Sequence, residues 1–332
     1  MKKWLVIILG ILLITGCDSG EQKDRRATTH LKKVTIALEW SPNTNHTGLY
    51  VAEKLGYFKK QGLDVNILPP GKVNADQLVA SGKATFGVGL QENITQARTK
   101  GVPLVSIAAI IQHNTSGFAS LANKQITSPK DFEGKTYGGW GAPVEKAVIS
   151  SLMKQDKADI SKVKIVNAGD ADFFTIMKKD IDFAWIYYGW TGAEAERRGI
   201  DLNMVYLTDY SKKLDYYTPV LETNEKMIKQ DPETVKQFVH AVSEGYDYAI
   251  KHPQEAADIL TKAVPSLDKA LVLKSQEWLS PRYQADSPRW GEQKLSVWKN
   301  YADWMTAHGL LEGDFKPEKA YTNQFLPDKG EE

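Results

Sequence analysis

The chain has 332 residues, 42 Lys+Arg against 41 Asp+Glu, a net charge of +1, and 42% hydrophobic and 25% charged residues. The length predicts two lobes or two domains, the composition excludes a disordered chain, and the charge balance excludes a nucleic-acid partner held by bulk phosphate neutralisation. The single cysteine excludes a disulfide scaffold, a Cys-rich zinc site and a cysteine-ligated iron–sulfur cluster.

Met1-Lys2-Lys3 leads into the apolar run Trp4 to Ile14 and then Thr15-Gly16-Cys17. Two lysines before about 11 apolar residues predict a secretory signal over residues 1–16, too short to span a bilayer. A lone cysteine can be a core residue, but the polar run Asp18-Ser19-Gly20-Glu21-Gln22-Lys23-Asp24 speaks against that here. Leu13-Ile14-Thr15-Gly16-Cys17 resembles the lipobox of bacterial lipoproteins, which implies a lipid on Cys17. Cleavage there takes Lys2 and Lys3 away and moves the net charge from +1 to −1. Residues 17–31 read as a flexible tether, and the expected location is the outer face of the cell membrane.

From Lys33 onward, short β-rich runs alternate with amphipathic helical stretches, the pattern of an α/β fold. Val34 to Leu38 predicts a strand, His46 to Lys60 a helix ended by Gly62, and Leu63 to Leu68 a strand closed by Pro69-Pro70-Gly71. Asn74 to Ser81 follows as helix, Ala84 to Val88 as strand, Gln91 to Lys100 as helix and Pro103 to Ile111 as strand. The grammar then repeats: strands at Lys135–Gly138, Val163–Val166, Asp182–Ile186 and Leu202–Leu207, with helices at Pro143–Gln155, Asp172–Lys178 and Thr191–Arg198. From Glu225 the chain reads as helical, over 232–251, 254–262, 267–278 and 290–308, with Trp298, Tyr301, Trp304 and Met305 as core. Lobe I is expected over 32–112 plus 218–332 and lobe II over 113–217. Crossings near 112–118 and 208–220 suggest two hinges around a cleft.

Ligands of α/β sheets sit beyond the carboxyl ends of the strands, so those loops hold the candidates. After the first strand, Trp40 lies among Ser41, Asn43 and Asn45: an indole beside carboxamides suits a flat, nitrogen-rich ligand, and equally a turn with Asn45 as helix cap. Glu92 is either a ligand contact or a first-turn acid favoured by the helix dipole. Tyr137-Gly138-Gly139-Trp140-Gly141-Ala142-Pro143 is glycine-rich, but Val144 replaces the third glycine of a dinucleotide motif and no Gly-Lys-Ser/Thr follows. Its glycines would let a ligand approach backbone N–H groups, with Trp140 as a wall. Within Phe183 to Trp190 about half the rings are expected in the core, leaving Tyr187, Tyr188 and Trp190 as cleft candidates. Glu194 fits a capping box from Thr191, or a carboxylate receiving an aminopyrimidine. The histidines show no metal-ligand spacing and no nucleophile–base motif occurs, so neither metal, cofactor nor catalytic residue is expected.

Trp40-Ser41-Pro42-Asn43-Thr44-Asn45-His46, with Gly56-Tyr57-Phe58-Lys59-Lys60-Gln61-Gly62-Leu63, resembles the family that groups bacterial ThiY-like pyrimidine-binding lipoproteins with the fungal pyrimidine synthase of thiamin biosynthesis. The second stretch is shared with sulfonate- and nitrate-type binding proteins; the first is more selective. The resemblance spans about 33–325. It implies a type II periplasmic-binding-protein fold, two α/β lobes around a ligand cleft. It also implies a solute, N-formyl-4-amino-5-aminomethyl-2-methylpyrimidine or a close relative, delivered to the permease and ATPase subunits of an ABC importer. By position, Trp40, Asn43 and His46 match the family's first loop, Trp140 and Glu145 its second-lobe glycine loop, and Tyr188 a glutamate of the fungal enzyme. That enzyme carries a cysteine cluster used with iron; this chain has only Cys17, which favours transport over synthesis. A sulfonate or riboflavin-like solute is the remaining alternative.

Overall fold

The computed structural model describes residues 31–169 and 171–328. The expected signal peptide, Cys17 and the tether up to residue 30 lie outside the described residues. Lys32–Ala37 (β1) buries Val34 and Ile36 and pairs in parallel with Leu63–Leu68 (β2), Val34 opposite Val65 and Ile36 opposite Ile67. Phe86–Gly89 (β3) lies on its other side, followed outward by Val220–Asn224 (β10) and Leu104–Ala109 (β4), giving the order β2-β1-β3-β10-β4. The intervening strands make the second lobe: Ser116–Leu121 (β5), Thr136–Gly139 (β6), Lys164–Asn167 (β7), Ala184–Tyr187 (β8) and Leu202–Tyr206 (β9). They form the sheets β8-β5-β9 and β6-β7, joined by a bridge between Tyr137 and Phe183.

The second order, β7-β6-β8-β5-β9, repeats the first. In each lobe the fourth place is taken by the strand that arrives just after a crossing, β10 in one and β5 in the other, antiparallel to both neighbours. The sequence reading treats 112–118 and 208–220 as plain crossings and misses both strands. Ser116-Gly117-Phe118-Ala119-Ser120 lacks the β-branched alternation that marks a strand. Its small residues are required by contact: a Cβ on Gly117 would lie 2.6 Å from the Val205 carbonyl oxygen.

Helix boundaries shift for local reasons. The expected helix from His46 to Lys60 is a 3-10 turn, Thr44–His46, then Thr47–Lys54 and Tyr57–Lys60. The break falls at Gly56, whose φ of +80° suits only glycine at low cost. Asn43, not Asn45, is the cap: its side chain accepts from the Asn45 N–H at 2.8 Å. The third C-terminal helix runs Lys269–Gln284 through Pro281, and the last is Leu295–Ala307. Trp290 therefore precedes a helix rather than starting one; it is buried and donates its indole N–H to the Ile110 carbonyl at 3.2 Å. Among the described residues no helix is long and apolar enough to cross a membrane.

Three contacts hold the lobes. Helices Thr47–Lys54 and Pro232–Lys251 touch backbone to backbone, since a Cβ on Gly245 would lie 2.1 Å from the Gly48 carbonyl oxygen. Helix Leu295–Ala307 serves both lobes, Trp298 packing in a cluster with Ala37 and Val220, and Tyr301, Trp304 and Met305 in one with Phe118 and Phe183. The expected core role of these four residues is what the structure shows. Third, the two crossings are tied to each other. Asp215 accepts from the Asn114 N–H at 2.9 Å and meets His113 Nδ1 at 2.7 Å, while His113 Nε2 meets Asp286 at 2.8 Å.

Two outcomes follow. Gly245→Ala gains about 1 kcal/mol of helix propensity but forces a methyl against a carbonyl, which costs about 1–3 kcal/mol. Urea denaturation should therefore show lower stability; an unchanged or raised midpoint would show that the helices separate freely. His113 is pushed up to about 9, first by its hydrogen bond to Asp215 and, against burial, by Asp286. A folded value above the unfolded one gives stability that is complete below pH 6.5 and lost as pH rises through 9. Because the ring is half exposed, solvent screening reduces the effect. Denaturation midpoints should fall between pH 6.5 and 9.5, and His113→Asn should flatten that fall.

Candidate functional site

The loop after β1 is built to hold one carboxylate and release one indole. His46 is fully buried, and its Nδ1 accepts the Asn43 N–H at 3.1 Å. The proton is therefore on Nε2, which donates to Glu39 at 2.9 Å. His46 and Asn43, both expected as ligand contacts, are enclosed here and spend their polar groups on the loop. Trp40 stands outside it, 59% exposed.

The loop after β6 has the same logic. Glu145 is buried and receives the Tyr137 hydroxyl at 2.7 Å, the Trp140 N–H at 3.0 Å and the Ala142 N–H at 2.5 Å. A Cβ on Gly139 would fall 1.7 Å from Glu145 Oε2, so the glycine makes room for this carboxylate rather than for a ligand. The Trp140 N–H, expected to face a ligand, is already bound. Glu145 positions the loop, and Trp140 projects from it, 43% exposed, its ring centroid 5.5 Å from that of Trp185.

At the end of β8 the chain enters a π-helical turn, Tyr188–Gly192, before the helix Ala193–Arg197. The turn re-aims the aromatic run. Tyr188 donates to Glu196 at 2.6 Å and packs on Tyr206 and Trp278, and Trp190 packs against the buried cluster of Tyr50, Ala257, Leu260 and Val272. The capping box expected from Thr191 does not form. Glu194 instead grips Arg197 at 2.6 and 2.8 Å and Arg198 at 2.5 Å. Those hydrogen bonds, Arg197 first, hold its carboxyl below the usual range and occupy most of its acceptor sites. Tyr187 alone of the three aromatic candidates keeps an open face, 39% exposed.

Tyr187 also marks where the lobes meet. Its ring face is open but its hydroxyl end is enclosed near Thr218, and the hydroxyl is pushed up to about 12, chiefly by burial of that end and then by the charges of Glu92 and Glu39. Tyr187 belongs to β8, Glu39 to the loop after β1 and Glu92 to the first turn of the helix Gln91–Thr99 that follows β3, so the strand ends of both lobes converge on this phenol. Burial also raises Glu92, against a hydrogen bond from Tyr301 at 3.3 Å. Tyr216 stacks on Tyr301 at 4.0 Å.

Asp76 and Glu222 join the same acidic side. Asp76, at the start of helix Ala75–Ala80, accepts from Asn93 at 2.8 Å and interacts with Glu222 and Glu39. The sequence reading missed Glu39, Asp76, Tyr216, Thr218 and Glu222. Asp76 looks like any first-turn acid behind its cap, Asn74. The available signal was Glu222 itself, an acid set among the aliphatic residues of Val220-Leu221-Glu222-Thr223.

The family described as NMT1/THI5 like matches residues 43–256, more than half of the chain. The formylaminopyrimidine-binding protein of Halalkalibacterium halodurans is 28% identical, over 97% of this chain and 99% of that protein. The 4-amino-5-hydroxymethyl-2-methylpyrimidine phosphate synthase of Legionella pneumophila is 26% identical, over 89% and 93%. Among solved structures, the ligand-binding component of an ABC-type import system from Staphylococcus aureus superposes with a TM-score of 0.69 at 14% identity, covering 91% of this chain and 100% of that one. The paired sheets thus make a periplasmic-binding-protein fold, and the chain belongs to the NMT1/THI5-like family.

Proposed function

We propose that this chain is the solute-binding component of an ABC importer for a 4-amino-5-aminomethyl-2-methylpyrimidine, N-formylated or free. In this reading it is anchored outside the cell membrane by a lipid on Cys17 and passes its solute to a permease and ATPase. One observation carries the proposal: Trp40, Trp140 and Tyr187, all exposed, stand at carboxyl ends of strands, and the acceptors Glu39 and Glu92 act on the Tyr187 phenol. A flat heterocycle stacks on indole and phenol faces, and its amino group donates to carboxylates. A sulfonate, by contrast, needs cations or N–H donors, and the carboxylates here oppose it. The bacillar relative, a formylaminopyrimidine-binding protein matched over nearly its whole length, supports the same solute class. A ligand touching both lobes favours the closed form through those differential contacts, which gives a permease something to recognise.

Stacking on an aromatic side chain is worth about 1–3 kcal/mol, so Trp40→Ala should weaken binding by roughly one to two decades. Titration calorimetry checks this, with mass spectrometry recovering the pyrimidine intact. An unchanged Kd in a folded variant removes Trp40 from the site, and turnover of the pyrimidine replaces the carrier with an enzyme. Cys17→Ser should yield protein that no longer partitions with membranes. Membrane-bound, diacylated Cys17→Ser protein would place the lipid elsewhere.

A further inference from the structure

Glu222 is fully buried, and neither of its carboxyl oxygens meets an N–H or O–H donor. What it faces is another carboxyl. Glu222 Oε2 and Asp76 Oδ1 converge over Gly89, 2.8 and 3.1 Å from where its Cβ would stand, and Gly87 leaves space on the same side for Glu222 Oε1. Asp76 is only partly covered, so the pair reaches solvent through it, and the charge of Glu39 acts on both of its members. Asn93 is the donor to Asp76 and Tyr301 the donor to Glu92, and no Lys or Arg among the described residues pairs with Asp76, Glu92 or Glu222. Among the described residues the salt-bridge partner of Glu39 is His46. Buried carboxyls left without a cation are costly, and two in contact cannot both ionise.

We propose that Asp76 and Glu222, with Glu39 beside them, form the subsite for a primary ammonium group, so that the cleft selects the free aminomethylpyrimidine over its formamide. The proposal rests on the pyrimidine reading above. An ammonium brings one positive charge and three donors to a place that offers only acceptors. A formamide brings a single N–H and a carbonyl oxygen that these acceptors repel. A metal ion is a poor fit, since among the described residues no group of three His, Cys, Asp or Glu side chains is arranged to hold one. In the empty cleft the carboxyl pair keeps one proton. The ammonium, already protonated in solution, displaces that proton to solvent, and the charge of the site is unchanged. Burial, then Asp76 and Glu39, holds Glu222 protonated to higher pH than usual. The other neighbours, Gly87 and Gly89 of β3, Ser106 of β4 and Asn93, carry no titratable group.

The test is calorimetry in two buffers of different ionisation enthalpy, with 4-amino-5-aminomethyl-2-methylpyrimidine and its N-formyl derivative as probes. The amine should bind at least about tenfold tighter, the size of one charged hydrogen bond lost, and should release a proton. Asp76→Asn should narrow the gap between the probes to within about threefold, and Glu222→Gln should abolish the proton release. Tighter binding of the formamide, or an amine preference that survives both substitutions, overturns the proposal. If neither pyrimidine binds, the pyrimidine reading fails by itself. Benzylammonium and N-benzylformamide then decide the subsite: Asp76-dependent binding of the amine sustains it, and equal or absent binding overturns it.

Discussion

The Asp215 carboxylate, holding the Asn114 N–H and the His113 ring, is the junction on which both sheets depend. Asn114 passes the constraint on, since its side-chain oxygen accepts from the N–H and hydroxyl of Ser116 at 2.9 and 2.7 Å. Ser116 opens β5 opposite Tyr187, which fixes the depth at which that phenol reaches the cleft. On the other crossing, five residues after Asp215, Val220 enters opposite Gly89 and places Glu222 opposite Gly87. A register slip of one residue at either strand would turn Tyr187 or Glu222 to the far face of its sheet. The paired crossings therefore set which groups face the cleft.

Both first loops divide labour in the same way. A buried polar group, His46 in one and Glu145 in the other, ties down backbone or a neighbouring carboxylate, and an indole is left standing in solvent. Satisfying buried donors and acceptors inside each loop costs less than leaving them open. Rigid loops also reduce the ordering entropy a solute must overcome. Stacking groups carry the contact, and the polar residues next to them carry the geometry.

Much of this was legible from sequence because it is local. Parallel strands with aliphatic alternation, the Pro143 helix start and the exposed Trp40 and Trp140 after strand ends all depend on neighbours within a few residues. The losses come from contacts between distant segments. Gly117 and Ser116 look like loop residues until Val205 is beside them, and Glu222 looks like an edge residue until β3 and β4 flank it. Tyr188 and Trp190 failed for another reason: alternation assumes that the strand continues, and the π turn rotates both rings away from Tyr187. The capping box expected at Glu194 does not form because Arg197 and Arg198 compete for the carboxylate more strongly than a cap does.

The interleaved strand order has a consequence for a chain that emerges N-terminus first. β3 and β4 are made early, yet the strand that belongs between them, β10, follows the entire second lobe. At roughly 5–20 residues per second, the interval between Ala109 and Val220 lasts on the order of ten seconds. Throughout it, two apolar strand edges stand open, the geometry most prone to pair with other chains. A protein threaded across a membrane before folding escapes this delay, because the whole chain is available when folding begins. Interleaving thus makes the first sheet wait for the second lobe, whose own strands are contiguous, and it sets a premium on keeping the unfinished chain extended.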